Sequence, residues 1–140
     1  MSSDLHASTL EVNDRTYAAW NAHDANAVAS VFAEHAVLRE AGRPEEIRGR
    51  AAIRARAAAL LAAFPDFRLE RIVLLVDGDR HADRWVMTGT HRGDLFGIAA
   101  TGRSVRVEGA TFTRLGRDGL VVEDVHYVDY AGLLAQLGAG

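Results

Sequence analysis

Residues 103–130 read RSVRVEGATFTRLGRDGLVVEDVHYVDY, and this stretch decides the fold. Two runs, Arg103–Leu115 and Leu120–Tyr130, are rich in Val, Thr and aromatic residues that alternate with charged ones, the period of two that a half-buried strand requires. Gly116-Arg117-Asp118-Gly119 between them is short and turn-rich, so the runs pair as an antiparallel hairpin. With that segment as the loop, Leu115 faces Leu120, Thr111 faces Asp124 and Gly109 faces His126. One face then carries Val105, Val107, Gly109, Thr111 and Thr113 beside Val122, Asp124, His126 and Val128. The other carries Arg106, Glu108, Ala110, Phe112 and Arg114 beside Val121, Glu123, Val125, Tyr127 and Asp129, and is far more charged. The cleaner face is expected to look inward.

Working outward, the same period of two marks strands at Phe67–Val76 and Arg84–His91, separated by Asp77-Gly78-Asp79, with Gly93–Gly102 leading into the hairpin. Upstream of Pro65 the period becomes helical. Ser8 can cap a first helix whose Leu10, Asn13, Tyr17 and Trp20 share one face, apolar with a polar member. Asp24 can cap a second, short helix with Ala27, Val28, Val31 and Phe32 turned inward. A brief strand at Val37–Glu40 and an exposed loop at Ala41–Arg48 follow. A third helix runs from Arg50 to Phe64 with Ile53, Ala57, Leu60 and Phe64 on one face, and stops where Pro65 disfavours helical geometry before it. Ala131–Leu137 makes one last helical turn. The fold class is α+β: helices first, then a curved, mostly antiparallel sheet packed on them, in one domain over residues 1–140.

Composition narrows the function. Sixteen Lys and Arg against nineteen Asp and Glu give a net charge of -3, without the basic footprint that a phosphate backbone attracts, so nucleic acid is not the expected partner. Zero cysteines exclude disulfides, thiolate metal sites and a Cys nucleophile. The first residues, Met1-Ser2-Ser3-Asp4-Leu5-His6, have neither a basic nor an apolar segment, and no stretch reaches the roughly 20 apolar residues of a membrane span. The expectation is a cytoplasmic protein without a membrane partner. The histidines match no His-x-x-x-His helix, and neither a nucleotide-binding glycine loop nor a Gly-x-Ser-x-Gly elbow is present, so neither a metal nor a nucleotide is expected.

Chemistry gathers on the inward face of the hairpin. Asp124 and His126 stand two residues apart on one strand opposite small residues, the arrangement of a pocket floor, and an imidazole titrates near neutrality. The bland reading is that both merely hydrogen-bond their neighbours at a half-open sheet edge. His91 ends a strand beside the Gly93–Gly102 segment, whose Leu95, Phe96 and Ile98 can form a lid or can simply seal the core rim. Tyr17, Trp20 and Trp85 can wall a cavity or be plain core. Arg54 and Arg56 read as a solvated face.

Four segments, Tyr17-Ala18-Ala19-Trp20-Asn21-Ala22-His23-Asp24, Phe64-Pro65-Asp66-Phe67, Gly89 to Ile98 with Thr101-Gly102-Arg103, and Val128 to Gly138, together resemble the SnoaL-like polyketide cyclases. The likeness covers nearly the whole chain in order. It implies the cone-shaped nuclear-transport-factor-2-like fold, a homodimer, a small hydrophobic or polyketide-like ligand inside the cone, and no cofactor. In such enzymes an acid/base side chain removes an acidic proton and the enolate closes a ring by intramolecular aldol reaction. The same cone hosts ketosteroid isomerase and limonene-epoxide-hydrolase-like enzymes.

The family's last strand often reads Glu, any residue, Trp, an acid, then a terminal Asp. Here Glu123, Asp124, Val125, His126 and Asp129 stand at those positions, so the Trp is missing and a His replaces the inner acid. The catalytic candidates are therefore His126 as base with Asp124, His91 or Asp129 assisting, and the substrate-binding candidates are Tyr17, Trp20, Trp85, Phe96 and Thr111. Two other readings stand beside this one. One is a non-catalytic ligand-binding module on the same cone; the other is an epoxide-opening hydrolase, which needs Arg92 or Arg106 in the cavity.

Overall fold

A computed structural model of the chain describes residues 2–139. Its elements are helices α1 (Ser2–Asn21) and α2 (Ala25–Ser30), strands β1 (Phe32–Glu40) and β2 (Glu46–Arg48), helix α3 (Arg50–Ala63), strands β3 (Arg68–Asp77), β4 (Arg80–Thr90), β5 (Ser104–Leu115) and β6 (Val121–Val128), and helix α4 (Tyr130–Gln136). One curved, unclosed sheet runs β2-β1-β6-β5-β4-β3, antiparallel throughout except for the parallel β1–β6 pair. Its concave face looks toward the helices. Among the described residues no helix is long and apolar enough to cross a membrane.

Local signals placed several boundaries. The Asp24 carboxylate accepts from the Ala27 backbone N–H at 3.0 Å, capping α2. Helix α3 ends at Ala63 because Phe64, before Pro65, takes φ -127° and ψ 83°. Other boundaries moved. Ser8 lies inside α1 and does not cap it; the helix starts earlier, and its first turns dock on the β3–β4 hairpin, where the Thr9 hydroxyl reaches the Gly78 carbonyl at 2.8 Å. Strand β1 begins at Phe32, well before Val37, and the loop expected at Ala41–Arg48 contains β2. Strand β4 begins at Arg80, not Arg84, which brings His81 and Asp83 into the sheet.

The hairpin register also differs. The Gly116 N–H donates to the Leu120 carbonyl at 2.8 Å, so Leu120 belongs to the loop closure, and Gly119 takes φ +80°. A bulge then leaves Val122 unpaired, since Leu115 pairs with Val121 but Arg114 with Glu123. Each slip alone would turn every side chain to the other face; together they cancel. Thr111 opposes His126, Thr113 opposes Asp124, and Gly109 opposes Val128, while the inward face is kept, with Val121 replacing Val122 on it.

Candidate functional site

Across the concave face the register builds two polar rungs. The first runs Leu38, Asp124, Thr113, His81 from β1 to β4, and the second Glu40, His126, Thr111, Asp83. The next rungs are apolar, with Val128, Gly109 and Trp85, then Val107 and Met87. All these side chains except Gly109 line one cavity of about 140 Å³ between the sheet, α1 and α3. That volume is close to the ~150 Å³ that holds a benzene ring in an engineered protein core. Trp20, Phe64, Phe67, Leu69, Leu95 and Leu133 complete the apolar part of its lining.

His126 and Asp124 form a dyad. The His126 Nε2 stands 3.2 Å from the Asp124 Oδ2, and the Thr113 hydroxyl donates to the other carboxylate oxygen at 2.5 Å. With Nε2–H directed at Asp124, the Nδ1 lone pair is the one left for a ligand. The His126 side chain is 25% exposed, which keeps it reachable, whereas Asp124 is buried.

The second rung ends in a carboxylate held from α1. Asp83 Oδ2 accepts the Tyr17 hydroxyl at 2.5 Å and the Asn13 Nδ2 at 3.2 Å, and Arg71 donates to the Asn13 Oδ1 at 2.6 Å. Burial, and then the Asp83 carboxylate, push the Tyr17 phenol far above its ordinary value, so it remains a donor. Two residues back along β4, burial pulls the His81 imidazole below its ordinary value even though Asp83 and Asp124 oppose the shift, leaving it neutral at pH 7.

A third polar group sits beside the Phe96 loop. Glu40, 5% exposed, receives the Arg56 guanidinium on one carboxylate oxygen and the Tyr130 hydroxyl on the other. Burial and the Glu40 carboxylate push the Tyr130 phenol up to about 12. Phe96 lies between two guanidinium groups, Arg43 at 4.6 Å and Arg56 at 5.0 Å from its ring centre, and meets Tyr130 edge-on. Its backbone is left-handed (φ +50°), as is that of Gly97 (φ +87°), in the tight turn closed by Leu95 and Ile98. The Phe96 side chain forms a half-exposed cap on the cavity.

Gly109, one of the small residues on the inward face, leaves no open space there, because the Trp85 indole fills it. A Cβ at Gly109 would approach the Trp85 ring to 2.3 Å. Trp85 is fixed there by its Nε1–H, which donates to the Thr111 hydroxyl at 2.9 Å. Gly109→Ala is therefore expected to expel the indole, change the tryptophan emission spectrum and cost roughly 1–3 kcal/mol in urea unfolding.

Of the candidate residues, the structure brings His126, Asp124, Thr111, Tyr17, Trp20, Trp85 and Phe96 to the cavity wall. His91 and Asp129 are elsewhere. His91 is completely buried: its Nδ1 accepts from the Thr101 N–H at 3.2 Å, and its backbone ties the ends of the loop through Arg103 and Gly102. Asp129 caps α4 by accepting from the Gly132 N–H at 2.9 Å, outside the cavity. Arg56, read as solvated, lines the cavity; it stands between Ile53 and Leu60 at helical spacing, a signal that was present in the sequence. His81 and Asp83 fall outside a strand that begins at Arg84, although His81, Asp83, Trp85 and Met87 alternate with period two and belong to β4. Arg92 and Arg106 are exposed and do not reach the cavity, so neither supplies the polarising group that the epoxide-opening reading asked of them. Among the described residues no group of three His, Asp or Glu side chains is arranged to hold a metal ion.

Comparison with known proteins adds the family context. The sequence profile of the SnoaL-like polyketide cyclases matches residues 10–137. A search of curated protein sequences finds no match. Among solved structures, a candidate SnoaL-like polyketide cyclase from Jannaschia sp. CCS1 superposes with a TM-score of 0.87 at 19% identity, over 97% of this chain and 95% of its own, a likeness of fold. AclR from Streptomyces galilaeus, a candidate hydroxylase, is 28% identical with a TM-score of 0.84, over 96% and 87% of the two chains. IdmH from Streptomyces antibioticus, a candidate polyketide cyclase, is 29% identical with a TM-score of 0.75, over 93% and 98%.

Proposed function

The chain belongs to the SnoaL-like polyketide cyclase family, and from that premise we propose that it is a cofactor-independent acid/base enzyme, a cyclase or isomerase acting on a small hydrophobic carbonyl compound. The observation that carries this reading is the His126–Asp124 dyad, with both carboxylate oxygens engaged, facing an apolar enclosure. The His126 Nδ1 takes the proton from the carbon beside the substrate carbonyl, and the electron pair moves onto the carbonyl oxygen as an enolate. In a cyclase the enolate carbon then bonds to a second carbonyl carbon of the same molecule. The resulting alkoxide recovers the proton from the imidazolium, which restores the neutral ring. Asp124 orients the imidazole and stabilises its charged form. The apolar side chains of Trp20, Phe67, Trp85 and Leu133 limit water around the enolate, while the quarter-exposed His126 ring can trade its proton with solvent.

The first half of this sequence can be read without knowing the natural substrate. Acetophenone, a single-ring ketone of the size the cavity holds, is incubated with the protein in D2O and α-proton exchange followed by NMR. Exchange above the buffer rate is expected; exchange at the buffer rate would leave a ligand-binding module on the same fold.

The proposal extends to a homodimer. On the convex face Leu75, Ala82, Phe112 and Val125 form one rung across four strands, with Val73 and Tyr127 on the next. Leu75 is 66% exposed, Phe112 55% and Tyr127 50%, an apolar strip that a second copy would cover. Sedimentation equilibrium is expected to give a dimer, and Phe112→Lys a monomer. A monomeric parent protein would overturn this part.

A further inference from the structure

The floor of the cavity has a second polar end that the dyad does not use. Asp83 Oδ2 takes both protein donors, Tyr17 and Asn13, while Oδ1 is buried and has no partner among the described residues. On the same strand, two residues away, the His81 Nδ1 is likewise buried and unpartnered, and among the described residues the ring makes no side-chain hydrogen bond. Both residues line the cavity and both are more than nine-tenths buried, at 6% and 7% exposure. An unmet acceptor on a buried carboxylate is costly, and a fold that keeps it beside an unmet imidazole, with a clamp of Tyr17, Asn13 and Arg71 holding the carboxylate in place, presents a preformed site.

We infer that the His81–Asp83 end of the cavity is a subsite for a hydroxyl on the ligand, phenolic or enolic, which donates to Asp83 Oδ1 and accepts from the His81 ring. A neutral imidazole supplies one N–H and a carboxylate only accepts, so a group able both to give and to receive one hydrogen bond satisfies the pair. An ether or a bare carbonyl leaves Asp83 unmet, and a carboxylate ligand is repelled. In substrate terms the site selects a hydroxylated aromatic ring or the enol form of a β-dicarbonyl, with the ring across Trp85 and the hydroxyl at β4. The inference rests on reading this cavity as a substrate site, but it concerns binding and does not require turnover.

The test compares phenol with anisole, which has the same ring with its donor methylated. The chain's two tryptophans, Trp20 and Trp85, both line the cavity, so fluorescence titration reports occupancy, and calorimetry checks it. Anisole is the more apolar probe, so apolar burial alone favours it. Phenol is instead expected to bind about tenfold or more tightly, the gain of a hydrogen bond to a charged, buried acceptor. Asp83→Asn is expected to bring the ratio of the two affinities close to one, and Asp129→Asn, at the α4 cap outside the cavity, to leave it unchanged. Equal binding of the two probes by the parent protein would overturn the subsite, as would a ratio that survives Asp83→Asn. If Asp83→Asn does not fold, the parent ratio alone decides. A phenol preference without ketone exchange would keep the subsite and remove the enzyme; exchange without the preference would do the reverse.

Discussion

His126→Ala is expected to slow α-proton exchange of acetophenone by roughly 10²–10⁴-fold, the contribution of one placed proton-transfer group. The same substitution should leave the urea midpoint close to that of the parent. The side chain is a quarter exposed and hydrogen-bonds to Asp124, which keeps the Thr113 hydroxyl as a donor when the ring is removed. Loss of rate without loss of fold is what separates a base from a structural histidine. Unchanged exchange in a folded His126→Ala protein would leave the dyad without a catalytic role. Asp124→Asn provides the complementary reading: the amide carries no charge to balance the imidazolium formed during turnover, so the rate should fall, whereas Asp129→Asn, at the α4 cap, should leave it unchanged.

Local chemistry explains which parts of this site were legible in the sequence. Period-two alternation identified the hairpin's inward face, the Asp24 cap and the Pro65 stop needed only neighbouring residues, and those signals suffice for the α+β order. Even with the register displaced, Asp124 and His126 were turned inward, because two slips of one residue restore the parity that decides a face. What stayed hidden depends on partners distant along the chain. Glu46-Ile47-Arg48 has one apolar residue between charges and becomes a strand only by pairing with β1. Arg56 looks solvated until Glu40, brought in by the parallel β1–β6 pair, supplies the charge that draws it inward. His81 and Asp83 carry weak strand propensity, and their place is set by pairing with Thr113 and Thr111.

Arg56→Ala is expected to destabilise the fold by roughly 3–5 kcal/mol, the loss typical of removing one partner from a buried ion pair. An exposed pair of the same residues would contribute at most ~1 kcal/mol, so urea unfolding discriminates between the two regimes. Burial places this pair in the first. The Arg56 side chain is 19% exposed and that of Glu40 4%, and among the described residues the only other side-chain partner of the Glu40 carboxylate is the Tyr130 hydroxyl. Tyr130, with its phenol pushed up to about 12, stays neutral at working pH and cannot replace the lost charge. Because most of the penalty comes from the stranded carboxylate and not from the missing contact, Glu40→Gln combined with Arg56→Met should recover most of it. A second effect separates this group from an ordinary core ion pair. Arg56 is one of two cations against the Phe96 ring, so Arg56→Ala should also raise amide exchange across residues 94–98, where the left-handed Phe96 backbone would lose part of what holds it. A loss below 1 kcal/mol, or a double variant no more stable than Arg56→Ala, would mean that water reaches Glu40 and that the cap on this side of the cavity stands open.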